Sequence, residues 1–234
     1  MNIAIIKAGG VGNRMGAGIP KQFIEVFDKP LIIYTLEAFE KHPDIDSIIV
    51  VCVNGWHDIL KAYAKKYNIS KLVEVVNGGE TSLKSILCGL KAAVEKYSLE
   101  DTVIIHDGNR PLVSQEIISD VLAKCQIEGA AVAAIPCDDE VMVVNTSSLV
   151  FEKYLDHKTL YRIQTPDAYK LKDIMDLFAE ATEEDLTKFG ATNVLAIEKK
   201  RKIKFVLGSS INIRLTTTED ISLFKSLFQI KNNK

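Results

Sequence analysis

Glycines at 9, 10, 12 and 16 follow a short apolar run, Ile3 to Ile6, with Arg14 among them and Pro20-Lys21-Gln22 just beyond. Glycine lets a backbone approach an anion closely with its N–H groups turned toward it, and Arg14 and Lys21 add full charges to those partial ones. The chemistry this suits is the holding of phosphates, and a nucleoside triphosphate is the expected ligand. The spacing excludes two familiar cradles. A dinucleotide fingerprint needs a third glycine where Met15 stands, and a P-loop needs Gly-Lys followed by Ser or Thr, which is absent.

Three further polar groups each follow an apolar run. They are Asn77-Gly78-Gly79-Glu80 with Ser82 and Ser85, His106-Asp107-Gly108-Asn109-Arg110-Pro111, and Asn212-Ile213-Arg214-Leu215-Thr216. In open α/β sheets ligands bind beyond the carboxyl ends of the strands, so these are the positions to inspect. The elements that must carry them are legible. Runs at 2–7, 47–53, 72–76, 102–106, 130–135 and 203–207 are short and rich in Ile and Val, as strands buried on both faces of a mainly parallel sheet should be. Between them, Pro30 can open a helix carrying Leu31, Ile32, Leu36 and Phe39, and apolar spacing near 3.6 marks 59–67, 82–97 and 117–127. Thr217-Thr218-Glu219-Asp220 supplies a capped start to a last helix over 221–228. This alternation predicts a Rossmann-like three-layer α/β/α sandwich. One stretch interrupts it. Val141 to Val144 and Leu149 to Phe151 flank the polar turn Asn145-Thr146-Ser147-Ser148, which predicts a protruding β-hairpin arm within 138–164. The arm either contacts a second copy or folds back on its own subunit.

With 234 residues, 47% hydrophobic and 26% charged, the chain is expected to form one domain, 1–234, with the arm inserted. No apolar run reaches the length of a membrane span, and Met1 leads straight into a strand, so the expected location is the cytoplasm with no membrane partner. A net charge of −2 gives no general reason to bind nucleic acid. Cys52, Cys88, Cys125 and Cys137 form no C-x-x-C pair and read as reduced thiols.

Taken in order, Ala8-Gly9-Gly10-x-Gly12-x-Arg14-Met15, Pro20-Lys21-Gln22, Gly78-Gly79 with Ser85, His106-Asp107-x-x-Arg110-Pro111, Gln164-Thr165-Pro166 and Asn212-Ile213-Arg214-x-Thr216 carry a specific resemblance. Over essentially its whole length the chain is similar to the CTP-dependent cytidylyltransferases that act on methylerythritol phosphate and on ribitol phosphate. The resemblance implies transfer of CMP from CTP to a phosphorylated alcohol with release of pyrophosphate, in a homodimer joined through the 138–164 arm. It implies catalytic roles for Arg14, Lys21 and Arg214, and Mg²⁺ held with the help of Asp107. Ala8, Gly9, Gly10, Gly12, Gly78, Gly79, Ser85, Asp107, Gly108 and Arg110 would bind the nucleotide. Asp139, Glu140, His157, Lys158 and Thr165 would face the acceptor. In-line transfer to a phosphate needs positioning and charge neutralisation and no general base, because a phosphate dianion is already a nucleophile.

The departures from the family pattern fall on the acceptor side. His157 stands where the methylerythritol enzymes place an arginine, Glu140 where they place a threonine, and Gly190-Ala191-Thr192-Asn193 where an acidic segment is usual. Arg214 replaces a lysine, Thr81-Ser82 replaces Glu-Arg, and Lys7 replaces a small or apolar residue. These changes argue against the isoprenoid-pathway substrate, and the expected acceptor is a polyol phosphate such as ribitol 5-phosphate, used for a surface polymer. Asp138 and Glu140 also admit an amine-bearing acceptor such as 2-aminoethylphosphonate. 2-C-methylerythritol 4-phosphate, and a nucleotide-binding protein without turnover, remain as alternatives.

Overall fold

The computed structural model describes residues 1–10 and 19–232. In chain order, β1 (Asn2–Ala8) is followed by a small two-stranded pair, β2 (Glu25–Val26) and β3 (Lys29–Pro30), then α1 (Leu31–Glu40), β4 (Ser47–Cys52), α2 (His57–Lys66) and β5 (Leu72–Asn77). Next come α3 (Ser82–Lys96), β6 (Thr102–Asp107), α4 (Gln115–Glu128), β7 (Ala130–Pro136) and the hairpin β8 (Val141–Asn145) and β9 (Val150–Leu155). The chain closes with β10 (Tyr161–Lys170), α5 (Leu171–Ala179), α6 (Glu183–Lys188), α7 (Thr192–Glu198), β11 (Lys204–Leu207) and α8 (Thr218–Asn232).

Seven of these strands form one sheet in the order β11-β7-β10-β6-β1-β4-β5, in which β10 alone runs antiparallel to its neighbours. Side chains alternate across a strand, and here both faces are apolar. Ala4, Ile6, Ile48, Val50 and Ile104 face α1, α2 and α4, while Ile3, Ile5, Ile49, Val51, Val103 and Ile105 face α3, α5 and α7. This is the expected three-layer α/β/α arrangement. The switch point lies between β1 and β6: from β1 the chain moves to β4 and β5, then returns to the other side as β6, and the carboxyl ends of these two strands are where a ligand crevice is expected.

Two details differ from the sequence reading. Pro30 is the residue before α1, extended at φ −57° and ψ 139°, and the helix starts at Leu31. Tyr161–Lys170 is a sheet strand, which its polar centre Gln164-Thr165 and its Pro166 conceal; the register with β7 is broken between Ile163 and Asp167, where that centre lies. The hairpin arm is present as β8 and β9, forms its own two-stranded sheet, and leaves Met142, Leu149, Val150 and Phe151 exposed.

The start of α8 is a reciprocal cap. Thr217 Oγ1 accepts from the Asp220 N–H at 3.3 Å, and the Asp220 carboxylate accepts from the Thr217 N–H at 2.8 Å. Beyond it, fully buried Phe224 joins Tyr34 and Leu215 in a small core beside residues 212–216. Thr217→Ala is expected to lower stability by about 1 kcal/mol, read from urea unfolding. An unchanged midpoint would show that Asp220 caps the helix alone.

Candidate active site

The parallel register of β1 and β6 sets Lys7 beside Asp107 at the carboxyl ends of both strands. Lys7 Nζ lies 2.8 Å from Asp107 Oδ1, and Arg110 Nε lies 3.1 Å from Asp107 Oδ2. Burial alone would push the Asp107 carboxyl up, but the charges of Lys7 and Arg110 outweigh it and hold the group well below the usual carboxylate range. On the same face Asp167, 3% exposed, accepts a 2.8 Å hydrogen bond from the Tyr169 hydroxyl. Burial pushes Asp167 up to about 6, against the pull of Lys7 and of that hydrogen bond.

The loops around this floor are tied down one by one. Gln22 Nε2 donates to the carbonyls of Ala8 and Gly10, fixing the chain as it leaves β1. After β5, Ser85 Oγ accepts from the Gly79 N–H at 3.0 Å and donates to the Gly79 carbonyl at 3.2 Å, so α3 holds the glycine turn against its own first residues. Because β10 runs antiparallel, it enters the sheet at this end, and Thr165 Oγ1 accepts from the Asp107 N–H at 3.0 Å. Asn212 Nδ2 donates to the Thr165 carbonyl at 2.9 Å, and Arg110 Nη1 donates to the Asn212 carbonyl at 2.8 Å. Asp107, Thr165, Asn212 and Arg110 are therefore linked in one network of hydrogen bonds.

These elements enclose a cleft of about 500 Å³. Of the residues singled out in the sequence, Ala8, Gly9, Gly10, Lys21, Gly79, Ser85, Asp107, Arg110, Thr165 and Arg214 line it. Gly78 and Gly108 stand directly behind the lining: a Cβ on Gly78 would sit 3.4 Å from Gly9 Cα, and the Gly108 N–H donates to the Lys7 carbonyl at 2.8 Å. Gly12 and Arg14 lie outside the described residues. Asp139, Glu140, His157 and Lys158 belong to the arm and its base and are not in the lining of their own chain's cleft. His157 Nδ1 instead lies 3.6 Å from Glu140 Oε1, beyond hydrogen-bond distance and an ion pair only when the imidazole is protonated. The sequence reading did not assign the cleft positions of Lys7, Gln22, Asn109 and Gln164, nor those of Gly190, Ala191 and Asn193, which had been singled out only as departures. Gln22 and Gln164 were visible inside their motifs. The contribution of Lys7 depends on a strand register that no local pattern reveals.

The cleft presents cations and glycine turns around an ionised carboxylate, with Lys21 and Arg214 on its wall and Lys7 and Arg110 on its floor. That arrangement holds a polyanion and neutralises charge developing on it. Among the described residues no group of three or more His, Cys, Asp and Glu side chains converges, so a protein-only metal cage is not built here.

His106, on the opposite face of β6, is fully buried against Phe39, and its Nε2 lies 3.1 Å from the Arg110 carbonyl. Burial pushes its imidazole down to about 4. A depressed histidine contributes stability that is present above its ordinary value of 6.5 and is lost as pH falls toward 4. Asp167 has the opposite sign: its raised value favours the folded state as pH falls from about 6 toward 3.8. The two oppose each other between pH 6 and 4. Asp167→Asn removes one limb, so thermal melts in EDTA are expected to fall more steeply from pH 6.5 to 4 than those of the unaltered protein. Parallel profiles would contradict this.

The sequence model of the family described as IspD, 2-C-methyl-D-erythritol 4-phosphate cytidylyltransferase, matches residues 2–229. The chain is 42% identical over 233 residues to a ribitol-5-phosphate cytidylyltransferase of Lacticaseibacillus paracasei, covering 99% of both chains. It is 36% identical to the ribitol-5-phosphate cytidylyltransferase of Streptococcus agalactiae serotype Ia, covering 100% of this chain and 98% of the other. Among solved structures, the 4-diphosphocytidyl-2C-methyl-D-erythritol synthase of Anaerococcus prevotii superposes with a TM-score of 0.83 at 28% identity, over 98% of this chain and 96% of that one.

Proposed function

The chain belongs to the 2-C-methyl-D-erythritol 4-phosphate cytidylyltransferase family of nucleotidyltransferases, and from that premise we propose that the alcohol it activates is ribitol 5-phosphate. The observation that carries the acceptor is the full-length identity of 42% to an enzyme of that name. The products would be CDP-ribitol and pyrophosphate, and the expected use is a surface polymer.

A phosphate oxygen of the acceptor attacks the α-phosphorus of CTP, the new P–O bond forms as the bond to the β-phosphate bridge breaks, and pyrophosphate leaves with the electron pair. Lys21 and Arg214 on the cleft wall neutralise the charge that grows on the phosphates, a role the family resemblance also gives to Arg14, outside the described residues. The turn at Gly78-Gly79, held by Ser85, borders the base and ribose. Mg²⁺ is usually bound through one or two carboxylates together with substrate phosphates; Asp107 is one ionised carboxylate here, but Lys7 and Arg110 pair with both of its oxygens, so the triphosphate would supply most of the metal's ligands. When bound, the metal would supply neutralisation of the triphosphate.

Dimerisation through the arm is part of the reading. The exposed apolar arm needs a partner, and the arm residues Asp139, Glu140, His157 and Lys158, which do not line their own cleft, would meet the acceptor in a partner's. No helix among the described residues is long and apolar enough to cross a membrane. The cytoplasm, where CTP is available, is the location we propose. The test is pyrophosphate release with CTP, Mg²⁺ and one acceptor at a time. Turnover is expected with ribitol 5-phosphate. Turnover confined to 2-aminoethylphosphonate or to 2-C-methylerythritol 4-phosphate would replace the acceptor, and CTP binding without turnover on any of them would favour a binding protein.

A further inference from the structure

One carboxylate, Asp107, lines the floor of the cleft, a second, Asp167, is buried behind it outside the lining, and Arg110 is not the only cation on Asp107. Asp107 has Arg110 on Oδ2 at 3.1 Å and Lys7 on Oδ1 at 2.8 Å, with the Lys7 and Asp107 side chains 17% and 12% exposed. Asp167 stands behind them, close enough for the Lys7 charge to act on it. Lys7 is fixed at its backbone by the register with Asp107 and by its carbonyl, which accepts from the Gly108 N–H at 2.8 Å. Its ammonium borders the cleft.

Asp107 and the buried Asp167 behind it outnumber Arg110 by one charge at this end of the cleft, with Lys21 and Arg214 on the wall, and in a partly desolvated site an uncompensated carboxylate repels a polyanionic ligand strongly. A divalent ion on the carboxylate is the usual remedy. Lys7 supplies a cation there through the chain itself. We infer that Lys7 is a built-in counter-ion that takes the place of a metal on Asp107, so that the cleft binds CTP without a divalent ion and Mg²⁺ arrives with the triphosphate for the chemical step. This deepens the reading of the cleft as the CTP site and rests on it.

Calorimetric titration of CTP into the full chain, once in EDTA and once in Mg²⁺, tests it. The unaltered protein is expected to bind CTP in EDTA within about tenfold of its affinity in Mg²⁺. Lys7→Met is expected to lose at least about tenfold in EDTA and to recover most of that loss in Mg²⁺, while Lys7→Arg, which keeps the charge, stays nearer the unaltered protein. Binding by the unaltered protein only when Mg²⁺ is present would overturn the inference. Equal CTP affinity of Lys7→Met and the unaltered protein in EDTA would overturn it too. Should Lys7→Met fail to melt cooperatively, the two titrations of the unaltered protein decide the matter. Absence of CTP binding under every condition would instead refute the nucleotide reading of the cleft.

Discussion

Replacing Lys21 by alanine is expected to lower kcat by roughly two to three orders of magnitude while changing the KM for CTP by less than about tenfold. The expectation comes from where the residue is rooted. Lys21 opens a short 3-10 turn, Lys21–Phe23, fixed by the Phe23 N–H donating to the Pro20 carbonyl at 2.9 Å and by Gln22 reaching back to Ala8 and Gly10. Its backbone is therefore held in register with the end of β1, and its side chain lines the cleft. A cation rooted on a backbone fixed at the end of β1 matters most when charge develops on the departing pyrophosphate, and less when the triphosphate simply docks against several positive groups. Steady-state kinetics separate the two. A large rise in KM with kcat preserved would make Lys21 a ground-state binding residue. Lys21→Arg keeps the charge but spreads it over a planar fork, so partial recovery is the expected result.

The centre of the sheet was legible because its strands are buried on both faces and so read as unbroken apolar runs: the expected strand at 102–106 is β6, Thr102–Asp107, and that at 47–53 is β4, Ser47–Cys52. β10 was not legible. Its centre, Gln164-Thr165-Pro166-Asp167, is buried by tertiary packing, with Thr165 bonded to the Asp107 backbone and Asp167 to Tyr169, and no local preference marks such residues as a strand. Helices α6 and α7, of six and seven residues, are too short for an apolar period to declare itself.

The site divides in the same way. Glycine turns and cations at the ends of apolar runs could be found from residue types alone, and the structure brings Gly9, Gly79, Asp107 and Arg214 to one cleft. Partnerships made by register could not. Lys7 and Asp107 are neighbours only because β1 pairs with β6, and Glu140 and His157 are neighbours only because the hairpin folds as it does. That second pair alters the chemistry available to the acceptor: a carboxylate beside an imidazole is a weaker argument for an amine-bearing substrate than a carboxylate with no partner would be.

Gly79→Ala is expected to raise the KM for CTP by roughly 10- to 100-fold with a much smaller change in kcat. A Cβ at this position would stand 2.6 Å from Lys84 Cβ and 2.9 Å from the Lys84 carbonyl carbon, closer than real side chains approach. Lys84 is poorly placed to yield. Its N–H donates to Thr81 Oγ1 at 3.2 Å as the cap of α3, its ammonium pairs with Glu80 and Glu183, and Thr81 in turn donates to the Leu186 carbonyl at 2.7 Å. The glycine turn must therefore move instead, and both hydrogen bonds between Gly79 and Ser85 break with it. Ser85→Ala removes those two bonds without the clash and is expected to cost roughly five- to thirtyfold, the net worth of one to two hydrogen bonds. A thermal melt of each variant separates lost affinity from lost fold. Equal KM values for Gly79→Ala and the unaltered enzyme would mean that the turn after β5 does not read the nucleotide, and the base would have to be held by the loop after β1 and the wall at Gly190 and Asn193.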